Sequence, residues 1–433
     1  MELKILSAIK KYNALSPTRL HMPGHKGDRK FCKLFKGANL DVTELSFIDN
    51  EKVVRSAEKD IEKILDSQRS WFLTNGSSSG VLSMVYAVKD KGKKLIIGRS
   101  SHKSVYNALE LMGIEPIIID DRSYGEEFYL AIEKGIDKDT VGALLTYPDY
   151  YGNTFDIKRV SEILRSKGKL LLIDNAHGGH FKFFSDLVYA GDYADIWVDG
   201  LHKTFPTLNQ GAVLSTSNPT LIDGLDDGVN KFLTTSPSYP LLSSIEYGIK
   251  FYAENKPLLQ NTKNNIKAIK EYARSLGLRV EDLADPFKLY IEFFDTERAG
   301  KILEDNNIFF EMNDKRGILF MFTPLSSKRD YKRIIKSLKD IALGEEIKPH
   351  ENDLCLLPPR VMSYLDAIKS DSEWVDLSSA ENRIAGANAG NFPPCRPLVV
   401  AGELITKQVI EAIDQTSCFG VKDGKVLVVK EDK

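Results

Sequence analysis

The sequence predicts an α/β protein built on a mainly parallel β-sheet. Two observations support this: short, continuously apolar runs recur between about residues 70 and 215, and amphipathic segments separate several of them. Strands that are buried on both faces have unbroken apolar sequences, and the helices that connect parallel strands cover those faces. Ligands of such sheets bind outside the carboxyl ends of the strands. The residues that follow each apolar run are therefore the candidates for function.

Seven apolar runs are predicted to be strands, and amphipathic segments between them are predicted to be helices. The predicted strands are WFLT (71–74), KLIIG (94–98), PIIID (116–120), ALLTY (143–147), KLLLID (169–174), DIWVD (195–199) and GAVLST (211–216). The predicted helices include VLSMVYAV (81–88), SVYNALELMG (104–113) and IKRVSEILRSKG (157–168).

The length of 433 residues predicts more than one domain. The linker-like TTSPSYP (234–240) and the polar GEEIKPHENDL (344–354) suggest where divisions fall. We expect four parts: an N-terminal arm, a large domain, a smaller α/β domain and a C-terminal α+β domain. Their predicted limits are 1–28, 29–245, 246–345 and 346–433.

Composition excludes several classes of protein. The net charge is −2, which favours neither nucleic acid nor a membrane surface as the main partner. No apolar run reaches the roughly 18 residues of a membrane span, and lysines interrupt the N-terminal apolar pattern where a secretory signal would be continuous. The four cysteines are scattered, without a Cys-x-x-Cys pair, which favours a reducing cytoplasm over a disulfide framework or a cysteine zinc site.

Two polar motifs follow the first two predicted strands. TNGSSSG (74–80) opens a helix, and there Gly76 permits a tight turn while Ser77 and Ser78 add hydroxyl groups to the backbone amides that suit a phosphate. An ordinary serine N-cap explains the same pattern. GRSSHKS (98–104) places His102 just past the second strand, where a half-exposed loop histidine is the alternative.

A carboxylate and a lysine follow two later strands. Asp174 ends the most apolar run, and a buried carboxylate there is costly unless a cation pairs with it. Lys203 follows DIWVD, 29 residues further on, a spacing that suits a crossover to the next strand end. A buried lysine and carboxylate beside a phosphate cradle are what pyridoxal 5'-phosphate requires: the amine binds it covalently and the carboxylate keeps its pyridine nitrogen protonated. We therefore expect this cofactor, although a solvated lysine at a strand end is the ordinary alternative.

The histidines support a site. Six of the seven lie in such motifs, namely His21, His25, His102, His177, His180 and His202. His177 and His180 have the spacing H-x-x-H, which raises the possibility of a metal, but the glycines between them argue against a ligand-bearing helix and we expect none.

The motifs together resemble the bacterial-type ornithine/lysine/arginine decarboxylases, pyridoxal phosphate enzymes of fold type I. HMPGHKG (21–27), DVTEL (41–45), TNGSSSG, SSHKSVYNAL, DNAHGGH, GLHKT and TTSPSYPLLSS occur in the family's order over nearly the whole chain. The chain is similar to the short form, which lacks the N-terminal wing domain. The resemblance implies that residues 29–245 form the cofactor-binding large domain of a fold type I pyridoxal phosphate enzyme, the fold of the pyridoxal phosphate-dependent transferases.

The resemblance also implies roles for single residues. Lys203 would hold the cofactor, Asp174 would pair with its pyridine nitrogen, and His102 would stack on its ring. Gly76, Ser77, Ser78 and His202 would serve the phosphate, and His177 would lie near the ring's hydroxyl edge. Ser236 and Ser238 match a segment that reaches the neighbouring subunit's phosphate site, so a homodimer or larger homo-oligomer is implied. The implied reaction is decarboxylation of lysine, arginine or ornithine to CO2 and a polyamine-pathway amine.

Four departures from the family pattern suggest alternatives. Gly200 stands where serine is usual, Asn175 where glutamate is usual, and Asp149 adds a negative charge to a turn; near Ala387 an expected glutamate is absent. The missing glutamate near Ala387 favours a different pyridoxal phosphate reaction, such as transamination or β-elimination. Together with Gly200, the altered C-terminal motif also favours a catalytically silent relative that regulates an active decarboxylase.

Overall fold

The computed structural model describes residues 1–16, 23, 26, 28–42, 50–314, 316–344, 357–392, 395–414 and 417–431. HMPGHKG, with His21 and His25, lies almost entirely outside the described residues, as does most of DVTEL. The first helices are α1 (Lys4–Ala14), α2 (Arg29–Leu34) and α3 (Asn50–Leu65).

A seven-stranded sheet forms the centre of the large region. Its strands are β1 (Arg69–Leu73), β2 (Lys94–Gly98), β3 (Glu115–Ile119), β4 (Thr140–Thr146), β5 (Leu170–Asn175), β6 (Ile196–Asp199) and β7 (Ala212–Thr216). The order is β1-β7-β6-β5-β4-β2-β3, in which β7 runs antiparallel to both of its neighbours and the other pairs are parallel. The prediction of a mainly parallel sheet is confirmed.

Helices cover the two faces of this sheet. They are α4 (Gly76–Val88), α5 (Lys103–Met112), α6 (Glu126–Lys134), α7 (Ile157–Ser166), α8 (Ile222–Phe232) and α9 (Tyr239–Glu254). Successive strand residues enter two different apolar clusters: Trp197 of β6 packs into one, and Ile196 and Val198 pack into the other. Because both faces are buried, the strands are mainly apolar.

The crossover from β5 to β6 differs from the expected βαβ form. It contains two short 3₁₀ turns, at Gly179–Phe183 and Ala190–Asp192, and no α-helix. The first turn carries His180 and Phe181, which are both buried. The predicted strand ends are nevertheless adjacent, because β5 and β6 pair in parallel register.

The rest of the chain forms three smaller antiparallel sheets. The first consists of β8 (Arg279–Val280), β9 (Lys288–Glu292), β10 (Met312–Asn313) and β11 (Gly317–Met321), with α10 (Lys256–Ser275), α11 (Thr296–Asp305) and α12 (Lys328–Ala342). The C-terminal part contains α13 (Tyr364–Lys369), β12 (Ser372–Asp376), β13 (Ala389–Asn391), β14 (Arg396–Val399), α14 (Lys407–Ala412), β15 (Cys418–Phe419), β16 (Val421–Lys422) and β17 (Lys425–Val429).

A buried ion pair attaches the C-terminal part to the large sheet. Arg99, just after β2, donates from Nη1 to Glu403 Oε1 at 2.7 Å, and the two side chains are 4% and 7% exposed. The second guanidinium nitrogen donates to the carbonyl of Leu398 at 2.8 Å. The C-terminal part therefore packs at the same edge of the sheet as the predicted site.

The domain limits stay a prediction, and the expected boundary after residue 245 lies inside α9. Among the described helices, none combines the length and apolar character needed to span a bilayer.

Candidate active site

The predicted site residues lie at the carboxyl ends of the parallel strands. Gly76 begins α4 after β1, His102 is the N-cap of α5 after β2, and Asp174 is the penultimate residue of β5. Lys203 lies in a 3₁₀ turn (Leu201–Lys203) directly after β6. This edge is where ligands of such sheets bind.

Lys203 contacts His177 across the ends of β6 and β5. Its Nζ lies 2.9 Å from His177 Nε2. Burial lowers the pKa of Lys203, and the nearby carboxylates of Asp174 and Glu311 oppose this only in part. A lysine with a lowered pKa is neutral, and hence nucleophilic, at a lower pH than an exposed one. Burial, followed by the positive charge of Lys203, also holds the pKa of His177 well below its usual range, so this imidazole is neutral at pH 7.

Asp174 is a buried carboxylate with few partners. It is 4% exposed, and its Oδ1 accepts a hydrogen bond from the Ala176 amide at 3.2 Å. Burial raises its pKa, while the positive charge of Lys203 and the Ala176 amide lower it. A carboxylate has room for several hydrogen bonds. Asp174 can therefore accept a further cationic donor.

His102 is neutral and fixed in orientation. Its Nδ1 accepts from the Ser104 amide at 3.2 Å and lies 2.8 Å from Ser104 Oγ. Burial, followed by the charges of Lys203 and Lys103, lowers the pKa of His102 to about 4. With Nδ1 used as an acceptor, the proton of the neutral ring is on Nε2. A flat, uncharged imidazole near Lys203 is suited to stacking on an aromatic ring.

The first turn of α4 has no side-chain cap. Its N-cap, Asn75, makes no capping hydrogen bond, and Gly76 has a φ of +75°, a left-handed conformation that favours glycine. The amides of the first helical turn have no partner inside the helix. Ser77 and Ser78 therefore present amide and hydroxyl donors at this edge, which is the arrangement that binds a phosphate.

The other predicted phosphate residues are placed differently. His202 is held by the backbone of Gly211, which accepts from the His202 amide at 3.1 Å and lies 3.2 Å from its Nδ1. Ser236 and Ser238 are exposed, and within the described ranges no hydrogen bond joins their side chains to the strand-end residues. Their predicted role involves a neighbouring subunit and stays a prediction.

Buried polar atoms without partners gather at the same edge. Among the described residues, eight buried side-chain atoms that have no hydrogen-bond partner lie at the ends of parallel strands or within five residues after them. They belong to Thr74, Arg99, Ser101, Thr146, Asn175, His177, His180 and Thr204. Buried polar groups are normally paired, and each exception requires an explanation. A polar ligand at this edge is such an explanation.

The two histidines of the H-x-x-H motif have separate partners. His177 contacts Lys203, whereas His180 Nε2 lies 2.8 Å from Asp285 Oδ1, and both members of that second pair are wholly buried. Asp285 precedes β9, so this pair joins the β5–β6 crossover to the second sheet. Among the described residues, no group of three or more potential ligands could hold a metal ion.

The structure explains three of the departures from the family pattern. A side chain at Gly200 would place its Cβ 2.6 Å from the Ala176 carbonyl oxygen, so a serine does not fit the present backbone. Asn175 donates from Nδ2 to the buried Asp199. Asp149 is held within its own turn, since its Oδ1 accepts from the amides of Gly152 and Asn153 at 2.7 and 2.8 Å.

Sequence reasoning missed Tyr150 and Glu311. The ring of Tyr150 meets that of His177 edge-on, with centroids 5.2 Å apart, and its hydroxyl donates to Glu311 Oε1 at 2.8 Å. Glu311 precedes β10 in a segment without a polar motif, so no sequence signal indicates its approach to Lys203. Tyr150 lies in the Pro148-Asp149-Tyr150 turn, in which the sequence indicates only the added charge of Asp149.

Comparison with known proteins supports the fold. A solved serine palmitoyltransferase from Sphingomonas wittichii matches with a TM-score of 0.59 at 13% identity, over 79% of this chain and 84% of that one. The constitutive lysine decarboxylase of Escherichia coli matches with a TM-score of 0.79 at 18% identity, over 99% of this chain and 82% of that one. These likenesses concern the fold, which is fold type I, the class of pyridoxal phosphate-dependent enzymes.

The family follows from the sequence. The model of the Orn/Lys/Arg decarboxylase major domain matches residues 4–291. The chain therefore belongs to the Orn/Lys/Arg decarboxylase family. The arginine decarboxylase of Bacillus subtilis is 28% identical, over 95% of this chain and 93% of the relative. The resemblance predicted from the motifs is confirmed.

Proposed function

We propose that the protein is a pyridoxal 5'-phosphate-dependent decarboxylase that releases CO2 from a basic L-amino acid. One observation carries the proposal: a half-buried lysine and a buried, sparsely paired carboxylate lie at adjacent strand ends, beside an uncapped helix N-terminus. The family, and relatives named arginine decarboxylase and lysine decarboxylase, support decarboxylation of such an amino acid. The choice among lysine, arginine and ornithine stays open.

The residues present fit the cofactor. Lys203 would bind it covalently, and Asp174, a buried carboxylate with one backbone hydrogen bond, would accept a hydrogen bond from its protonated pyridine nitrogen. The first turn of α4 would receive the phosphate, and the unpaired Thr74 and Thr204 hydroxyls lie beside the same strand ends. When bound, the cofactor acts as an electron sink for the electron pair left by the departing carboxylate.

The chain's own residues prepare the reaction. Burial lowers the pKa of Lys203, which favours the free amine needed for exchange with the substrate amine. His177 Nε2, 2.9 Å from that amine, can accept a hydrogen bond from it and so orient it. His102, neutral at pH 7, provides a flat surface that orients the reacting groups without adding a positive charge.

The test is CO2 release by the cofactor-loaded protein from L-lysine, L-arginine and L-ornithine. We expect release from at least one of them, and at least a roughly 1,000-fold loss in the Lys203→Ala variant. Lys267→Ala is the matched control, because Lys267 is 74% exposed on α10. A second readout is the visible absorption band of the bound cofactor, which borohydride should abolish, fixing the cofactor to the peptide that contains Lys203.

Unchanged CO2 release in Lys203→Ala would contradict the proposal. A keto-acid or ammonia product in place of CO2 would favour the alternative reaction. The silent-relative hypothesis has one structural observation behind it, the close backbone approach at Gly200 that leaves no space for a serine phosphate donor. Absence of both band and CO2, with stimulation of an active decarboxylase on mixing, would favour that hypothesis.

The proposal includes a homodimer in the cytoplasm. It is supported by the exposed Ser236 and Ser238, which a second subunit would have to use, and by the scattered cysteines. Sedimentation of the purified protein measures whether it is a dimer.

A further inference from the structure

A continuous set of contacts leads from Lys203 to a carboxylate at the mouth of the site. Lys203 Nζ lies 2.9 Å from His177 Nε2, the His177 ring meets Tyr150 edge-on, and the Tyr150 hydroxyl donates to Glu311 Oε1 at 2.8 Å. Glu311 directly precedes β10 of the second sheet, whereas the other three residues follow strands of the large one. The site therefore includes an acidic side chain from a different part of the fold.

Glu311 is fixed in place but remains open to solvent. Its amide donates to the Leu319 carbonyl at 3.0 Å, which extends the pairing of β10 with β11 by one residue. The side chain is exposed. Within the part of the chain that the structure describes, Oε1 accepts from Tyr150 and no hydrogen bond to Oε2 is present. An anchored carboxylate with a free oxygen can receive a cation without a rearrangement of the backbone.

The other carboxylates near this mouth already have partners. Asp149 is held by the amides of its own turn, and Asp314 accepts from the hydroxyls of Tyr290 and Tyr151 at 2.8 and 3.0 Å. Asp174 is buried beneath, at the end of β5. Glu311 is close enough to Lys203 for its charge to oppose the lowering of the lysine pKa that burial causes.

We propose that Glu311, oriented by Tyr150, binds the cationic end of the substrate side chain and so makes the site specific for basic amino acids. This inference rests on the proposed function and deepens it. A lysine-like substrate carries its ammonium on a flexible aliphatic stem, and an arginine-like one carries a planar guanidinium. The substrate α-carbon reacts beside Lys203. A side chain that extends from it toward Tyr150 brings either cation to the Glu311 carboxylate. Hydrogen bonds between charged partners are stronger than neutral ones, so one carboxylate is sufficient for marked selectivity.

The experiment compares two amines by calorimetric binding to the cofactor-loaded protein. Diaminopentane and pentylamine have the same stem, and they differ in the distal ammonium. We expect the wild type to bind the diamine about 10- to 100-fold more tightly. Glu311→Gln should lose most of this preference while binding pentylamine as before. Tyr150→Phe should lose part of it, because the carboxylate is then no longer oriented.

Glu304→Gln is the control, since Glu304 is an exposed glutamate on the neighbouring α11. It should keep the wild-type preference. A preference that survives in Glu311→Gln, or a wild type without any preference, overturns the inference.

The same variants separate this inference from the proposed function. In a parallel assay, CO2 release from L-arginine is compared with that from L-citrulline, its uncharged analogue. Release from arginine with equal selectivity in wild type and Glu311→Gln would leave the decarboxylase intact and remove the role of Glu311. A diamine preference that depends on Glu311, without CO2 release from any basic amino acid, would support the cation subsite and contradict the decarboxylase.

Discussion

Asp199 lies in a buried polar network beneath the Lys203 turn. Its Oδ2 accepts from the Tyr189 hydroxyl at 2.7 Å, and that hydroxyl accepts from the Trp197 indole at 2.7 Å. Its Oδ1 accepts from Asn175, whose own Oδ1 has no partner among the described residues. Burial raises the pKa of Asp199 to about 7, although its hydrogen bonds oppose this.

We expect Asp199 to make the stability of the protein fall as pH rises. The unfolded carboxyl loses its proton near its ordinary value of 3.8, whereas the native one keeps it to about 7. Between these values the native state binds more protons, so its free energy of unfolding decreases with rising pH, by up to about 4 kcal/mol in total. Asp199→Asn should remove this dependence, because the amide cannot ionise and Asn175 can turn its unpaired oxygen toward it.

The measurement is urea unfolding of the wild type and Asp199→Asn from pH 4 to pH 8. The difference between them isolates Asp199 from His102, whose lowered pKa acts in the opposite direction. Asp340→Asn, at an exposed position of α12, should differ from the wild type by a constant amount. If the wild type and Asp199→Asn also differed by a constant amount across this range, Asp199 would be ionised throughout.

Single residues were predictable where the sequence places them against an apolar run. Asp174 and Lys203 were found because charged groups after buried strands are costly unless they are used. Glu311 could not be predicted, because the short segment that contains it has no polar motif. It reaches the site through tertiary packing alone. Asn175 was recognised as unusual, but its partner Asp199 lies 24 residues away on the next strand.

At the scale of elements, strands buried on both faces were the most predictable. KLIIG coincides with β2, whereas ALLTY begins three residues inside β4, because Thr140 and Gly142 interrupt the apolar pattern at the start of the strand. The antiparallel direction of β7 was not evident, since a buried strand has the same apolar sequence in either direction. The absence of an α-helix from the β5–β6 crossover was also not predicted. The spacing suited a crossover, but the sequence between the strands lacks a helical period.

The first turn of α4 depends on the left-handed backbone of Gly76. We expect Gly76→Ala to cost about 1 kcal/mol of unfolding free energy and to weaken cofactor binding about 10-fold, since relief of the strain moves the amides of Ser77 and Ser78. Gly113→Ala is matched to it, because Gly113 also has a positive φ, +65°, and both positions have open space around the Cβ. It should cost similar stability and leave cofactor affinity unchanged. Equal cofactor affinity in the two variants, measured by titration, would contradict the role of this turn.

At the scale of the whole molecule, the Arg99–Glu403 pair joins the C-terminal part to the large sheet. We expect Glu403→Gln to lower the free energy of unfolding by roughly 3 kcal/mol, because it leaves the buried Arg99 charge without its counter-charge. Glu126→Gln removes the partner of Arg159 in a solvent-exposed pair and should cost much less stability than Glu403→Gln.

Urea unfolding measures both costs, and limited proteolysis reports whether the C-terminal part loosens first. If the two variants were equally stable, Arg99 would have found another partner and the pair would not secure this contact. The sequence indicated a C-terminal domain but not its place, because Arg99 and Glu403 are 304 residues apart and no sequence pattern connects them.

The position of β7 in the sheet also sets the order in which the site is completed during synthesis. β1 is an edge strand that pairs with β7. Residues 69–73 therefore cannot join the sheet until residues 212–216 have been synthesised. While the ribosome is still making the intervening strands, the turn that opens α4 is not yet fixed relative to the others. The phosphate cradle and the lysine thus become one surface only after Thr216 has left the exit tunnel. A chain that stalls earlier carries an unpaired, apolar β1, which is the kind of edge from which aggregation begins.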